Sequence, residues 1–175
     1  MATPGSVAIR RFEPGDAPRL HEAVSESIKE LAFWMVWCRP DYSLTDATRF
    51  VSRHDTLWQQ KERFDLAIYH PETGTLLGSI GLSRLDLHHG CANIGYWVRT
   101  NWTNQGIGRN AIKQAARFAF EELGLNRLEF LIETDNQASL QAAKRAGAVE
   151  EAVLRKRFVL RGGLRDCVLL SLVRD

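Results

Sequence analysis

The chain predicts a mixed α+β fold: a central, mostly antiparallel twisted sheet of about seven strands, flanked by about four helices. Three observations predict it. Strand-like runs cluster in a meander in the first half of the chain and in a hairpin at its end. Between them stands a strand–helix–strand unit, at residues 91–133, which requires a right-handed crossover and a parallel strand pair. The full order read along the sequence is β-α-α-β-β-β-α-β-α-β-β.

Residues 7–12 form the first strand pattern. Asp16 stands where a helix N-cap belongs, and Pro18 follows in the first turn. Leu20, Val24, Ile28, Leu31 and Met35 then recur at helical spacing. A second helix is expected from Thr45 to about Lys61. Between the two helices lies Trp34-Met35-Val36-Trp37-Cys38-Arg39-Pro40. Trp34 and Trp37 read either as packing of a loop onto the core or as the wall of a substrate groove.

Strand patterns follow at residues 64–70 and 76–85, around the turn chemistry of Pro71-Glu72-Thr73-Gly74. Residues 82–90 connect to the next strand, 91–98. There Ala92, Ile94, Tyr96 and Val98 alternate with Asn93, Gly95 and Trp97, leaving one small, polar face that another molecule could approach. The helix at 107–123 sets Ile112, Ala115, Ala116, Ala119 and Leu123 against a polar stripe, and Gly124 stops it. A strand at 127–133 leads to Asn136, which caps a short helix ended by Gly147. Residues 150–160 and 164–173 pair around Arg161-Gly162-Gly163.

One domain spanning residues 1–175 is expected from the length of 175 residues. A net charge of +2 gives no reason to expect a nucleic-acid partner. No apolar run approaches the ~18 residues of a membrane span, and no leader pattern is visible, so a cytoplasmic location is expected. Cys38, Cys91 and Cys167 form no metal or disulfide pattern. His88-His89 lacks further ligands at suitable spacing, so no metal is expected. Arg155, Lys156, Arg157, Arg161 and Arg165 make the late hairpin basic, either as a solvated face or as an attraction for acidic groups.

The segment Thr103-Asn104-Gln105-Gly106-Ile107-Gly108-Arg109 carries the most chemical information. Glycines at a helix start let backbone N–H groups approach an anion, and the helix dipole favours negative charge there. Gln105 and Arg109 add side-chain donors. Gly106-x-Gly108-x-x-Ala111 also fits a dinucleotide fingerprint. Against that reading stand the preceding meander, the long loop at 100–104 and the roughly seventy residues that remain. No Gly-Lys-Ser/Thr follows, which excludes a Walker A loop.

This loop resembles the coenzyme A signature of the GNAT superfamily of N-acetyltransferases, Gln/Arg-x-x-Gly-x-Gly/Ala, with Thr103 departing at the first position. Ile94-Gly95-Tyr96-Trp97-Val98, Asp135-Asn136-Gln137-Ala138-Ser139, Gly162-Gly163-Leu164-Arg165-Asp166 and Leu31-x-x-Trp34-Met35-x-Trp37 resemble the ribosomal-protein N-terminal acetyltransferase branch. The resemblance spans nearly the whole chain. It implies the GNAT fold, with its sheet splayed between the fourth and fifth strands.

The resemblance also implies a chemical plan. Acetyl-CoA would be the co-substrate, its diphosphate on the N–H groups of Gln105, Gly106, Ile107, Gly108 and Arg109. Its pantetheine arm would lie along Trp97, Val98 and Arg99. A backbone N–H near Val98 would polarise the thioester carbonyl. Asn136 would hydrogen-bond the pantetheine arm, and Ser139 would protonate the departing thiolate; both also read as residues of a helix start. The general base is open. Relatives carry a carboxylate near the position of Phe158, and Glu133 is the substitute candidate, with an ion pair as its other reading. The implied reaction is acetyl transfer to a primary amine, a protein N-terminus first and a small amine second. A non-catalytic acyl-CoA-binding module is the remaining reading, and a homodimer is compatible with the fold.

Overall fold

The computed structural model describes residues 5–174. One sheet contains β1 (Ala8–Arg11), β2 (Phe64–Tyr69), β3 (Leu76–Asp86), β4 (Cys91–Val98), β5 (Arg127–Glu133), β6 (Val149–Leu160) and β7 (Gly163–Val173). The helices are α1 (Ala17–Glu26), α2 (Ile28–Trp34), α3 (Leu44–Gln59), α4 (Ile107–Glu121) and α5 (Gln137–Ala146). Single 3-10 turns occur at Pro14–Asp16 and Thr100–Trp102. The strand order is β1-β2-β3-β4-β5-β7-β6. Every neighbouring pair is antiparallel except β4 and β5, which α4 connects as a crossover.

Strand alternation gives the sheet two different surfaces. Leu66, Ile68, Ile80, Leu82, Ile94, Leu128 and Phe130 bury one face under α4. Ala111, Ala115 and Ala119 on α4 are fully buried, and their small side chains let that helix lie close to the sheet. The opposite face carries Ala67 and Trp97, packed with Leu20 and Val24 of α1 and Val51 of α3. Each fully buried Leu, Ile or Val contributes about 1.5–3 kcal/mol. Both layers are therefore firmly held.

Five helices stand where about four are expected, because the first helical pattern is broken at Ser27. Ser27 leaves helical geometry (φ −105°, ψ 11°) and divides α1 from α2. Its side chain is fully buried, and its Oγ accepts a hydrogen bond from the Thr100 N–H at 3.0 Å. A tertiary contact thus overrides a continuous periodicity. Asp16 precedes α1 as expected but makes no cap bond to it. Its carboxylate instead accepts from the Glu13 N–H at 2.9 Å and from the Arg10 guanidinium at 2.6 Å. The connection to β4 is shorter than expected, because β3 continues to Asp86.

The second helix begins at Leu44 rather than Thr45, because Ser43 caps it. Ser43 Oγ accepts from the Asp46 N–H at 3.2 Å, and the Asp46 carboxylate accepts from the Ser43 N–H at 3.0 Å. Ser43→Ala is expected to cost about 1 kcal/mol. For a chain of this size that lowers the melting temperature by about 2–4 °C, measurable by calorimetry.

Candidate active site

The parallel pairing of β4 and β5 is brief. It joins Cys91 to Arg127, Ala92 to Leu128 and Asn93 to Glu129, and then stops. Beyond Asn93 the two strands part, and the sheet opens between them. β4 remains paired with β3 as far as Val98. Arg99 N–H donates to Leu77 O at 2.7 Å, so its neighbour Val98 directs its own N–H away from β3, by the alternation of an extended strand. A close approach at Gly78 agrees with this. A Cβ there would lie 2.1 Å from the Trp97 carbonyl oxygen. That oxygen points toward β3, and across a trans peptide the Val98 N–H points the opposite way, into the opening.

The loop before α4 lies beside the same opening. Gly106 adopts φ +79°, a left-handed conformation that suits glycine, and stands as the N-cap of α4. Among the described residues, no hydrogen bond uses the backbone N–H of Gln105, Gly106, Ile107, Gly108 or Arg109. Five consecutive donors are therefore available at the positive end of a helix. Gly108 faces the sheet: a Cβ there would stand 3.1 Å from Tyr96 Cε2 and 3.7 Å from Val98 Cγ2.

α5 closes the other side. Asn136 caps it, its Oδ1 accepting from the Ser139 N–H at 3.2 Å. Ser139 Oγ donates to the Tyr96 hydroxyl at 3.0 Å, and that hydroxyl donates to the Ser139 carbonyl at 3.1 Å. Burial pushes the Tyr96 phenol up to about 12, so it stays protonated at neutral pH. A cavity of about 610 Å³ runs from Ser139 and Asn136 through the opening onto the α1–α3 face of the sheet.

An acyl-coenzyme A site needs an anion cradle and a parted strand pair, and both stand here side by side, with a cavity opening from the parting. The sequence model of the acetyltransferase (GNAT) domain matches residues 6–149. The chain belongs to the GNAT acetyltransferase family.

This GNAT enzyme is 30% identical over 168 residues to Bacillus subtilis YdaF, a protein provisionally named a ribosomal N-acetyltransferase; the match covers 96% of this chain and 91% of the relative. Its fold matches RimL, a ribosomal L7/L12 α-N-protein acetyltransferase solved with coenzyme A, with a TM-score of 0.90, 19% identity and coverage of 100% and 97% of the two chains. It also matches the Vibrio cholerae spermidine N-acetyltransferase solved with coenzyme A and spermine, with a TM-score of 0.79, 17% identity and coverage of 96% and 95%. The family match and the likeness to YdaF make the protein an acetyl-CoA-dependent N-acetyltransferase, and the solved structures share its fold.

Within this GNAT site the residues singled out from the sequence divide into two groups. Val98, Gly108, Asn136 and Ser139 stand at the opening, and Gly106 precedes Gly108 in the loop beside it. Gln105 and Arg109 are exposed at the loop; Gln105 Nε2 donates to Asn101 O at 3.4 Å and Arg109 Nε to Asn110 Oδ1 at 3.2 Å. The Ile107 side chain is buried in the core, so only its backbone faces the loop. The Arg99 side chain is not brought to the opening. It is 7% exposed and held by Glu22 at 2.7 Å and Glu26 at 2.5 Å on α1.

Trp34 and Trp37 both line the cavity on the α1–α3 face. Trp37 packs 6.4 Å from the ring of Trp97, which is itself buried in the core of that face. Glu133 lines the cavity too and is 4% exposed. Arg161 pairs with it and stacks 4.0 Å over Phe33, while Arg165 Nε lies 3.9 Å away. Glu133 thus sits in an ion pair that bridges β5, the β6–β7 turn and α2. Phe158 presents an apolar wall to the cavity.

Tyr96 was read from the sequence as one apolar residue of an alternating strand. Its role as the hydroxyl partner of Ser139 depends on a contact across 43 positions. Gly108 was the available signal, since a glycine in the first turn of α4 leaves room for a phenol on β4 to pass beneath it toward α5.

Proposed function

We propose that this enzyme acetylates the α-amine of a protein N-terminus. The observation that carries the reading is the charge balance of the acceptor side of the cavity. Arg49, Arg53 and Arg63 line it together with Asp46, Asp65 and Glu133. A polyamine brings several positive charges and no negative one, and the three carboxylates are already paired with Arg49, Arg63 and Arg161, which leaves no net negative field to hold it. An extended peptide brings one terminal amine and backbone amides, which suit a groove of mixed charge walled by Trp34, Trp37 and Tyr42.

In this reading the N–H groups of residues 105–109 hold the diphosphate of acetyl-CoA. The exposed guanidinium of Arg109 adds a charge-assisted contact. The pantetheine arm lies in the opening beside β4, and the Asn136 side-chain amide hydrogen-bonds it. The Val98 N–H supports the negative charge that develops on the thioester oxygen. The acceptor nitrogen enters from the α1–α3 face. A new N–C bond forms, the C–S bond breaks and the nitrogen releases one proton to solvent, while Ser139 passes its hydroxyl proton to the departing thiolate and regains one from solvent.

The test is a mass-spectrometric comparison of acceptors. Peptides with a free N-terminus are expected to be acetylated on the α-amine, with kcat/KM at least about 100-fold above that for spermine. Acetylation of spermine alone, with free peptides untouched, overturns the reading.

A further inference from the structure

A buried carboxylate that the chemistry above leaves unused lies on the acceptor side of the cavity. Asp65 on β2 is 3% exposed, yet it lines the cavity. Its Oδ2 accepts from Arg63 Nε at 2.6 Å, and among the described residues no hydrogen bond reaches Oδ1.

The strand register shows where that free oxygen points. Asp65 pairs with Gly81 on β3, and Gly81 pairs with Gly95 on β4. The three residues therefore form one row across the sheet, on the face that carries the acceptor groove. A Cβ on Gly81 would lie 2.3 Å from Asp65 Oδ1, so the carboxylate extends over β3 into the space that a side chain would fill. Nothing lies within 4 Å of a Cβ placed on Gly95. The row is a trough floored by two glycines, with the β4–β5 opening at one end and, at the other, the Asp65 carboxylate beside the Arg63 guanidinium, whose Nη2 lies 3.7 Å from the same Gly81 Cβ position. β3 and β4 lie roughly 5 Å apart, and Val98 stands three residues, roughly 10 Å, beyond Gly95 along β4, a span that a short chain of waters covers.

We propose that Asp65 is the group that takes the proton from the acceptor's ammonium group, through a short chain of waters, before attack. This rests on the amine-acetylation reading above. The ionised carboxylate accepts one proton from R–NH₃⁺, leaving a neutral amine whose lone pair forms the N–C bond; the proton then returns to solvent. Phe158 offers no acceptor on the opposite wall; Glu133 is held at Oε1 by Arg161, and its buried Oε2, without a hydrogen-bond partner among the described residues, is the competing acceptor that the experiment below includes.

The surroundings of Asp65 suit the task. Burial raises its pKa above the ordinary carboxylate value, against the opposing pull of Arg63 and His54. His54 on α3 is itself driven toward the neutral form by burial. Arg49, Arg53 and Asp46 of α3 face the same cavity, β3 and β4 contribute no charged group to the trough floor, and Arg11 on β1 is paired with Asp55. A base raised toward neutrality is a more effective proton acceptor at working pH. Because the folded state binds this proton more tightly than the unfolded chain, stability falls as pH rises from the ordinary carboxylate value through the raised one. Replacing the carboxylate by its neutral isostere removes that cost at neutral pH.

The experiment compares wild type, Asp65→Asn and Gly81→Ala on a peptide acceptor, with pH profiles of kcat. Asp65→Asn is expected to lower kcat about 100-fold and erase the acidic limb. Its coenzyme A affinity should stay within about twofold of wild type, and its melting temperature at pH 7 should not fall. Gly81→Ala, which keeps the carboxylate but fills its space, is expected to lower kcat in the same direction. An Asp65→Asn enzyme with wild-type kcat and an intact acidic limb overturns the assignment, as does a limb that vanishes in Glu133→Gln and persists in Asp65→Asn. Wild type that binds coenzyme A yet acetylates no amine overturns the acetylation reading itself, and the role of Asp65 with it.

Discussion

Gly108→Trp is expected to abolish coenzyme A binding while the domain stays folded. Gly108 lies in the first turn of α4, directly beside the five unpaired N–H groups. An added Cβ already meets Tyr96 at 3.1 Å and both Val98 Cγ2 and Ala142 Cβ at 3.7 Å. The rest of an indole then has one direction left, outward across the opening where the diphosphate and the pantetheine arm would pass. Coenzyme A affinity should fall more than 100-fold, a loss of more than about 2.7 kcal/mol. The position is helical, so leaving glycine costs no backbone strain there. The Tyr96 ring must yield by a few tenths of an ångström, and a melting point a few degrees lower is the expected price. Titration calorimetry on the folded variant decides the matter: wild-type affinity would place the cofactor elsewhere.

Ser139→Ala is expected to lower turnover about 100-fold, the usual contribution of a positioned acid. The substitution removes the hydroxyl that donates to Tyr96 but keeps the backbone N–H that caps on Asn136 and the carbonyl that Tyr96 contacts. Helix α5 and the cofactor cradle therefore persist, and coenzyme A affinity should change by less than about twofold. The Tyr96 phenol, held near 12, is a donor throughout the working range. No loss of rate attributable to its ionisation is expected below about pH 10. Single-turnover kinetics separate this loss from slow product release. Equal single-turnover rates for variant and parent would reduce Ser139 to a residue of the helix start.

Much of the framework was legible in local patterns. The alternation at 91–98 and the run at 127–133 match β4 and β5 residue for residue, because each is a buried strand bounded by turn residues. The start of α4 at Ile107 follows from glycine chemistry that acts within four residues. What was not legible rests on distant partners. Ser27 breaks a regular helical pattern because Thr100 needs its hydroxyl. Arg99 reads as a neighbour of the pantetheine arm, but two glutamates on α1 claim its side chain. Asp65 and Gly81 are sixteen positions apart in sequence, and only the β2–β3 register joins them.

The short β4–β5 seam has a mechanical consequence. Three residue pairs are all that rivet one half of the sheet to the other along that line, so the two halves form blades of a partly opened wedge. A molecule lodged in the mouth of the wedge braces both blades at once. Occupancy should therefore stiffen regions far from the bound atoms, and amide protons on β4 and β7 alike should exchange more slowly once the wedge is filled.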